Sequence, residues 1–309
     1  MSNSLNPVQQ DGEHISKPCP AVALILQPRV ADLGGFSVRR LLPRAQRKMV
    51  GPWIFFDEMG PADFAAGQGI NVRPHPHIGI ATVTYLFEGE VLHRDSVGSL
   101  QTIQPGDINL MVAGKGITHS ERERPETTQQ PHHLHGLQLW LALPEQDEET
   151  EPAFFHYPAA TLPALDVQGV AVRVMIGSAY GVTSPVQTFA TTLYVEAALK
   201  KGQQLVLPQA RERAVYVVQG RVKVDDNELT AHSLAVCSEQ PDITLEALEA
   251  SRIALIGGDP VGHRFIEWNF VSSRKERIEQ AKADWQDGRF PLVAGDELEF
   301  IPLPAAPSS

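Results

Sequence analysis

NVRPHPHIGIATVTYLFEGE, residues 71–90, decides the fold. Pro74 and Pro76 hold the backbone extended, each fixing its own φ and biasing the residue before it away from the helical region. Proline brings no N–H to a ladder, so the piece belongs at a strand start or a barrel rim. In an extended chain alternate side chains share a face. His75 and His77 therefore project together, which is an arrangement of metal ligands. The run IATVTYLFEG (80–89) that follows has strand length and is rich in Val, Ile, Thr, Tyr and Phe.

Similar segments extend both ways from this stretch. AVALIL (21–26), GFSVRRLL (35–42), PWIFFDEMGP (52–61), SLQTI (99–103), DINLMVAG (107–114) and GLQLWLALP (136–144) are short apolar runs punctuated by Gly, Pro and Asp. None sustains a 3.6-residue period. Such spacing predicts an all-β sandwich or barrel. Residues 1–20 are polar and read as a flexible N-terminal arm; 21–144 read as a first barrel. The acidic run EQDEETEP, with Pro152, Pro158 and Pro163, makes 145–165 a linker. Strand-like runs resume over 166–271 as a second barrel. TYLFEGEVLHRD (84–95) resembles VYVVQGRVKVDD (215–226), which points to a duplication. A chain of 309 residues accommodates two domains of about 100–200 residues each.

The tail 272–309 differs. SSRKERIEQAKADWQDG (272–288) predicts a helix. Ser273 and Glu276 fit a capping box. Ile278, Ala281 and Trp285 share a face, Lys275 and Glu279 have ion-pair spacing, and Gly288 ends the helix.

A second motif carries chemistry. In PGDINLMVAGKGITHSE (105–121), His119 and Glu121 alternate and share a face. Glycines 106, 114 and 116 permit tight turns before them. Three imidazoles and a carboxylate then converge from two strands. Small Gly79 and Ala81 would leave open space beside them. His132, His133 and His135 read as solvated or hydrogen-bonded loop residues, His93 as a rim residue or one packed behind the ligands, and His14, His156, His232 and His263 as structural or solvated. In the second half, Arg211 and Arg213 stand where imidazoles would be needed, and a guanidinium cannot ligate, so no metal is expected there.

Composition narrows the function. A net charge of -11 repels phosphate backbones and argues against nucleic acid as a partner. No apolar run reaches the roughly 18 residues of a membrane helix. Cys19 and Cys237 lack metal or disulfide spacing. The N-terminus has no secretory pattern, so a reducing cytoplasm is expected.

RPHPHIG, TYLFEGE, PGDINLMVAGKGITHSE and HGLQLWLALP together resemble the pirin family of cupins, and WNFVSSRKERIEQAKADW with DELEFIPLP resembles its longer bacterial members. The resemblance runs from about Val22 to Leu303. It implies a bicupin, two antiparallel jelly-roll β-barrels with a C-terminal helix, and one metal in the first barrel on His75, His77, His119 and Glu121. The general cupin pattern has a Glu where this chain has Ala81, so the resemblance assigns the carboxylate to Glu121. Fe(II) is the expected ion, with Ni, Mn, Cu, Co and Zn as alternatives for such donors. The implied activity is that of a quercetin 2,3-dioxygenase, with a flavonol and O2 as partners and Glu121 accepting the 3-hydroxyl proton. Ring cleavage would release carbon monoxide and a depside. Phe55, Phe56, Met111 and Leu86 could line the pocket or belong to the core. The alternative implied by the family is an iron-dependent redox-sensing regulator that binds a protein partner, with 145–151 meeting a basic surface. A monomer is expected, because duplication already pairs two barrels.

Overall fold

The computed structural model describes residues 20–32 and 37–305; the expected arm lies almost wholly outside these, as do Cys19 and His14. The described chain is all-β, with one long helix near its end. Each half is a pair of antiparallel sheets. In the first half the seven-stranded sheet runs Ala153–Tyr157, Ile108–Val112, Ile80–Glu88, His132–Ala142, Trp53–Phe64, Ser37–Leu42, Arg29–Asp32. A four-stranded sheet runs Val72–His77, Ile117–Arg122, Val91–Asp95, Leu100–Ile103. The second half repeats this plan strand for strand. Its large sheet runs Val22–Leu26, Leu234–Cys237, Glu212–Gln219, Ser251–Gly258, Thr192–Leu199, Val170–Ile176, Ala164–Val167. Its small sheet runs Gln204–Val206, Thr244–Ala247, Arg221–Val224, Asn227–Thr230. The duplicated segments are equivalent hairpins, and Gly89 and Gly220 turn both with φ of +83°. Only glycine adopts that conformation without strain.

The halves exchange material at their ends. Val22–Leu26, expected in the first barrel, pairs instead with Leu234–Cys237 of the second, in the register Leu26↔Leu234. The Ala21 N–H also donates to Asp225 Oδ2 at 2.9 Å. The segment 145–165, expected as a linker, carries the strand Ala153–Tyr157, which pairs with Ile108–Val112 of the first barrel, and begins the strand Ala164–Val167 of the second. The AFFHY strand run lies directly behind the acidic start. That acidity is used inside the chain: Glu148 is buried, forms an ion pair with Arg264, Nε to Oε1 2.7 Å, and accepts from the hydroxyls of Ser272 and Ser273. Glu149 pairs with Arg274 and Arg277, and Glu151 with Lys115. Three of the five carboxylates of the run are thus paired within the chain.

The outer faces of the two large sheets make one shared core, in which Phe56, Leu139 and Val83 meet Tyr194, Tyr216 and Ile256. Trp53 is fully buried there, and its indole N–H donates to the Leu193 and Gly257 carbonyls at 3.1 and 3.0 Å. Glu58 accepts from His135 of its own half at 3.0 Å and from His232 of the other at 2.7 Å.

The helix spans Lys275–Gln286, with Ile278 and Ala281 buried and Trp285 packed beside them. The capping box does not form. Arg274 is the N-cap, and the Ser273 hydroxyl and N–H both go to Glu148, a buried carboxylate that outcompetes a local side chain. Glu279 pairs with Lys282, not Lys275. The helix packs against Ile78 and Phe270, so the C-terminal segment returns to the first barrel. There the Ile301 N–H donates to the Pro74 carbonyl at 2.8 Å. Among the described residues no helix is long and apolar enough to cross a membrane.

Candidate metal centre

The strand Val72–His77 lies at the edge of its small sheet, where missing N–H groups at Pro74 and Pro76 cost least. Its neighbour Ile117–Arg122 sets His119 opposite His75 and Ile117 opposite His77. Paired residues in a ladder share a face, so three imidazoles meet: the ring centroids lie 4.3 Å apart for His75–His119 and 5.0 Å for His75–His77 and His77–His119. One nitrogen from each falls within 4.8 Å of the other two. All three residues are buried.

The hydrogen bonds settle the tautomers. His75 Nδ1 donates to the Arg73 carbonyl at 2.9 Å, and His77 Nδ1 to the Asn269 carbonyl at 3.2 Å. A carbonyl only accepts, so each Nδ1 carries the proton and each Nε2 keeps a lone pair. Neither ring nitrogen of His119 has a hydrogen-bond partner. A buried polar group left so costs roughly 1–3 kcal/mol, which a coordinate bond to an ion would relieve. Burial also keeps the rings neutral, as ligation requires. Desolvation pushes His75 down to about 4 and holds His77 and His119 well below the usual histidine range. The donor set fits a transition-metal ion.

Glu121 lines the same cavity, and burial raises its carboxyl to about 7. Its carboxylate stands outside the tight imidazole group, because the pairing register slips between His119 and Glu121. The cavity, about 540 Å³, lies between the two sheets of the first barrel. His77 meets Trp140 edge-on at 4.9 Å, and Trp140 stacks on Phe55 at 3.9 Å. Trp268, Asn269 and Ile301 cap the cavity from the returning C-terminal segment. Sequence reasoning missed these. The Asn269 contact is made by a backbone carbonyl and carries no side-chain signal.

Space beside the imidazoles is arranged differently from expectation. Ala81 points into the core shared by the two halves. Gly79 is not open: a Cβ there would lie 2.0 Å from the Val271 carbonyl oxygen, at a φ of +68°. The glycine admits the hairpin that carries Asn269. Gly79→Ala is expected to cost about 3 kcal/mol through overpacking and left-handed strain and to weaken metal retention. Chemical denaturation alongside metal titration checks this; an unchanged midpoint would contradict the tight contact.

Of the apolar candidates, Phe55 lines the cavity. Phe56 belongs to the shared core, and Met111 and Leu86 pack in smaller core clusters. His93 is buried, donates from Nε2 to Asp95 Oδ2 at 3.0 Å, stacks on Phe154, and packs behind His119 with ring centroids 5.3 Å apart. His132, His133 and His135 start a strand and do not lie in a loop. They bond to three separate carboxylates, Glu123, Asp63 and Glu58. In the second half Arg213 is buried and donates to the carbonyls of Leu207, Pro208, Gln240 and Pro241.

A pirin family model matches residues 35–141, and a model of the pirin C-terminal cupin domain matches 194–291. A pirin-like protein of Caulobacter vibrioides is 48% identical over 287 residues, covering 92% of this chain and 99% of the relative. A Pseudomonas aeruginosa protein, named as a candidate quercetin 2,3-dioxygenase, is 37% identical over 286 residues, 89% of each chain. The solved structure of a quercetin 2,3-dioxygenase from Acinetobacter baumannii superposes with a TM-score of 0.86 at 33% identity, covering 93% of this chain and 96% of that one.

Proposed function

The chain belongs to the pirin family of two-domain cupins, and from that premise we propose that it is a metal-dependent dioxygenase that opens the ring of a flavonol such as quercetin with O2. The observation that carries this reading is the trio of neutral, buried imidazoles, two with Nε2 free and one wholly unpartnered, facing a cavity large enough for a small aromatic molecule. His75, His77 and His119 would hold the ion, with Glu121 as a fourth ligand. Fe(II) is our choice; Ni, Mn, Cu, Co and Zn suit the same donors, and availability in the cell decides among them. When bound, the ion would polarise a substrate oxygen and offer open positions to substrate and O2.

The protein's own groups do the rest. Glu121, on the cavity wall beside His119, takes the proton of the flavonol 3-hydroxyl. Trp140 and Phe55 give a flat apolar surface for the rings. The C-terminal cap restricts water. The test is direct: iron-loaded protein should consume quercetin and O2, and metal-free protein should not. Glu121→Gln should lower the rate by about 10²–10⁴-fold, the usual worth of a positioned base. Activity retained in that variant at full metal content would sink the proton-acceptor role.

The alternative reading is an iron-dependent redox-sensing regulator that binds a protein partner; Glu148, Glu149 and Glu151 of its acidic segment are paired within the chain, which favours the dioxygenase reading over a contact made there. We place the protein in the cytoplasm as a monomer acting on a small molecule.

A further inference from the structure

The inner face of the first barrel's large sheet carries a regular pattern. Cross-strand pairing sets Arg40 opposite Asp57, Asp57 opposite Gln138, Gln138 opposite Thr84, Thr84 opposite Asn109, and Asn109 opposite His156. Six adjacent strands thus contribute one polar residue each to a single transverse row. Two positions along each strand, the flanking rows on the same face are mainly apolar: Phe55, Trp140, Met111 and Phe154, with Thr82 among them, on one side, and Val38, Met59 and Leu86, with Gly136, on the other. A polar stripe in a buried sheet face needs partners, and here they are incomplete. Arg40 and Asp57 form a two-point ion pair at 2.8 and 2.7 Å. Thr84 donates to Gln138 Oε1 at 2.8 Å, and His156 bonds Asn109 Oδ1 at 2.8 Å. Asn109 Nδ2 is buried without a partner, and Gln138, whose Oε1 accepts from Thr84, lines the cavity.

Arg40, Asp57, Thr84 and Gln138 all line the cavity that the three histidines face. The histidines belong to the small sheet, the stripe to the large one. The stripe therefore meets a ligand at a part other than the one held at the histidines. It offers an amide donor in Gln138, with the Thr84 hydroxyl and the Asp57 carboxylate as acceptors, between aromatic and aliphatic rows. A hydroxyl on a flat ring both accepts and donates, and its ring fits the apolar rows.

We propose that this stripe is a hydroxyl-recognition element. Among flat aromatic ligands that reach the histidine centre, it selects those with ring hydroxyls remote from the group held there. Gln138 is its specificity-determining residue. The inference rests on the flavonol reading for the choice of ligand. A site built to pair a hydroxyl discriminates strongly against an analogue without it, because its own polar groups are then left unpaired.

The experiment is equilibrium dialysis of metal-loaded protein under nitrogen, so that nothing turns over. Quercetin is compared with 3-hydroxyflavone, which keeps the 3-hydroxyl and 4-carbonyl but has no other hydroxyl. Wild type should bind quercetin at least about tenfold more tightly, the worth of one good hydrogen bond. Gln138→Leu should remove most of that preference while leaving 3-hydroxyflavone affinity within about twofold, the size of a lost peripheral contact. Thr84→Val, a smaller change that leaves the Gln138 amide in place, should reduce the preference in part. A Gln138→Leu protein that keeps the wild-type preference, or weakens both ligands equally, overturns the proposal, as does a wild type that binds neither. The two readings fail separately: discrimination without flavonol turnover in air sinks the dioxygenase and leaves the stripe. Turnover with Gln138→Leu discriminating like wild type sinks the stripe alone.

Discussion

Joint replacement of His75 and His77 by alanine is expected to abolish metal retention and, with it, quercetin-dependent oxygen uptake. Both imidazoles present a free Nε2 because their Nδ1 atoms are committed to carbonyls, so the variant removes two of the three converging nitrogens. His119 alone, even with Glu121, cannot define a site. Loss of contacts that only orient ligands already costs about 10–100-fold in affinity, so loss of two ligands should exceed that range. Elemental analysis should find about one equivalent in the wild type and essentially none in the variant. Metal retained at wild-type stoichiometry would move the site elsewhere. Metal lost with uptake unchanged would detach the chemistry from the centre.

The second large effect concerns the seam between the halves. Trp53→Ala is expected to cost about 3–5 kcal/mol, the usual price of emptying a buried aromatic site. Two carbonyls, of Leu193 and Gly257, also lose their shared donor. Trp53→Phe keeps most of the volume and isolates the hydrogen bonds, which should account for about 1–2 kcal/mol. Denaturant unfolding of both variants separates the two contributions; a Trp53→Ala variant within about 1 kcal/mol of wild type, well below that range, would mean that the seam does not depend on the indole.

Much of the centre was legible because its signals are local. Alternation in a proline-stiffened strand put His75 and His77 on one face, and the glycine turns before His119 brought the second strand beside them. Strand segments were readable for the same reason, since β-branched and aromatic runs between turn residues need no distant information. Long-range pairing was not. Nothing in VALIL says that its partner is LAVC in the other half, and AFFHY was hidden behind an acidic run whose charges are answered by arginines far along the chain. Ser273 was read as a local cap, whereas Glu148 takes its hydroxyl and N–H. The Asn269 carbonyl and Ile301 entered the cavity from the last segment of the chain, a placement that tertiary packing alone decides.

The exchange of end strands has a consequence for how this protein can be made and divided. During synthesis Val22–Leu26 leaves the ribosome long before its partner strand, since Ala21 and Asp225 are 204 residues apart. That strand must wait through the making of an entire barrel that it does not join. A fragment ending at Pro144 would carry that strand with nothing to pair and would leave the Ile108–Val112 edge open for want of Ala153–Tyr157. Unpaired edges of this kind invite aggregation. Two halves built on one plan thus share their end strands, and a piece that keeps the pairings described here must run from Ala21 to Ile301.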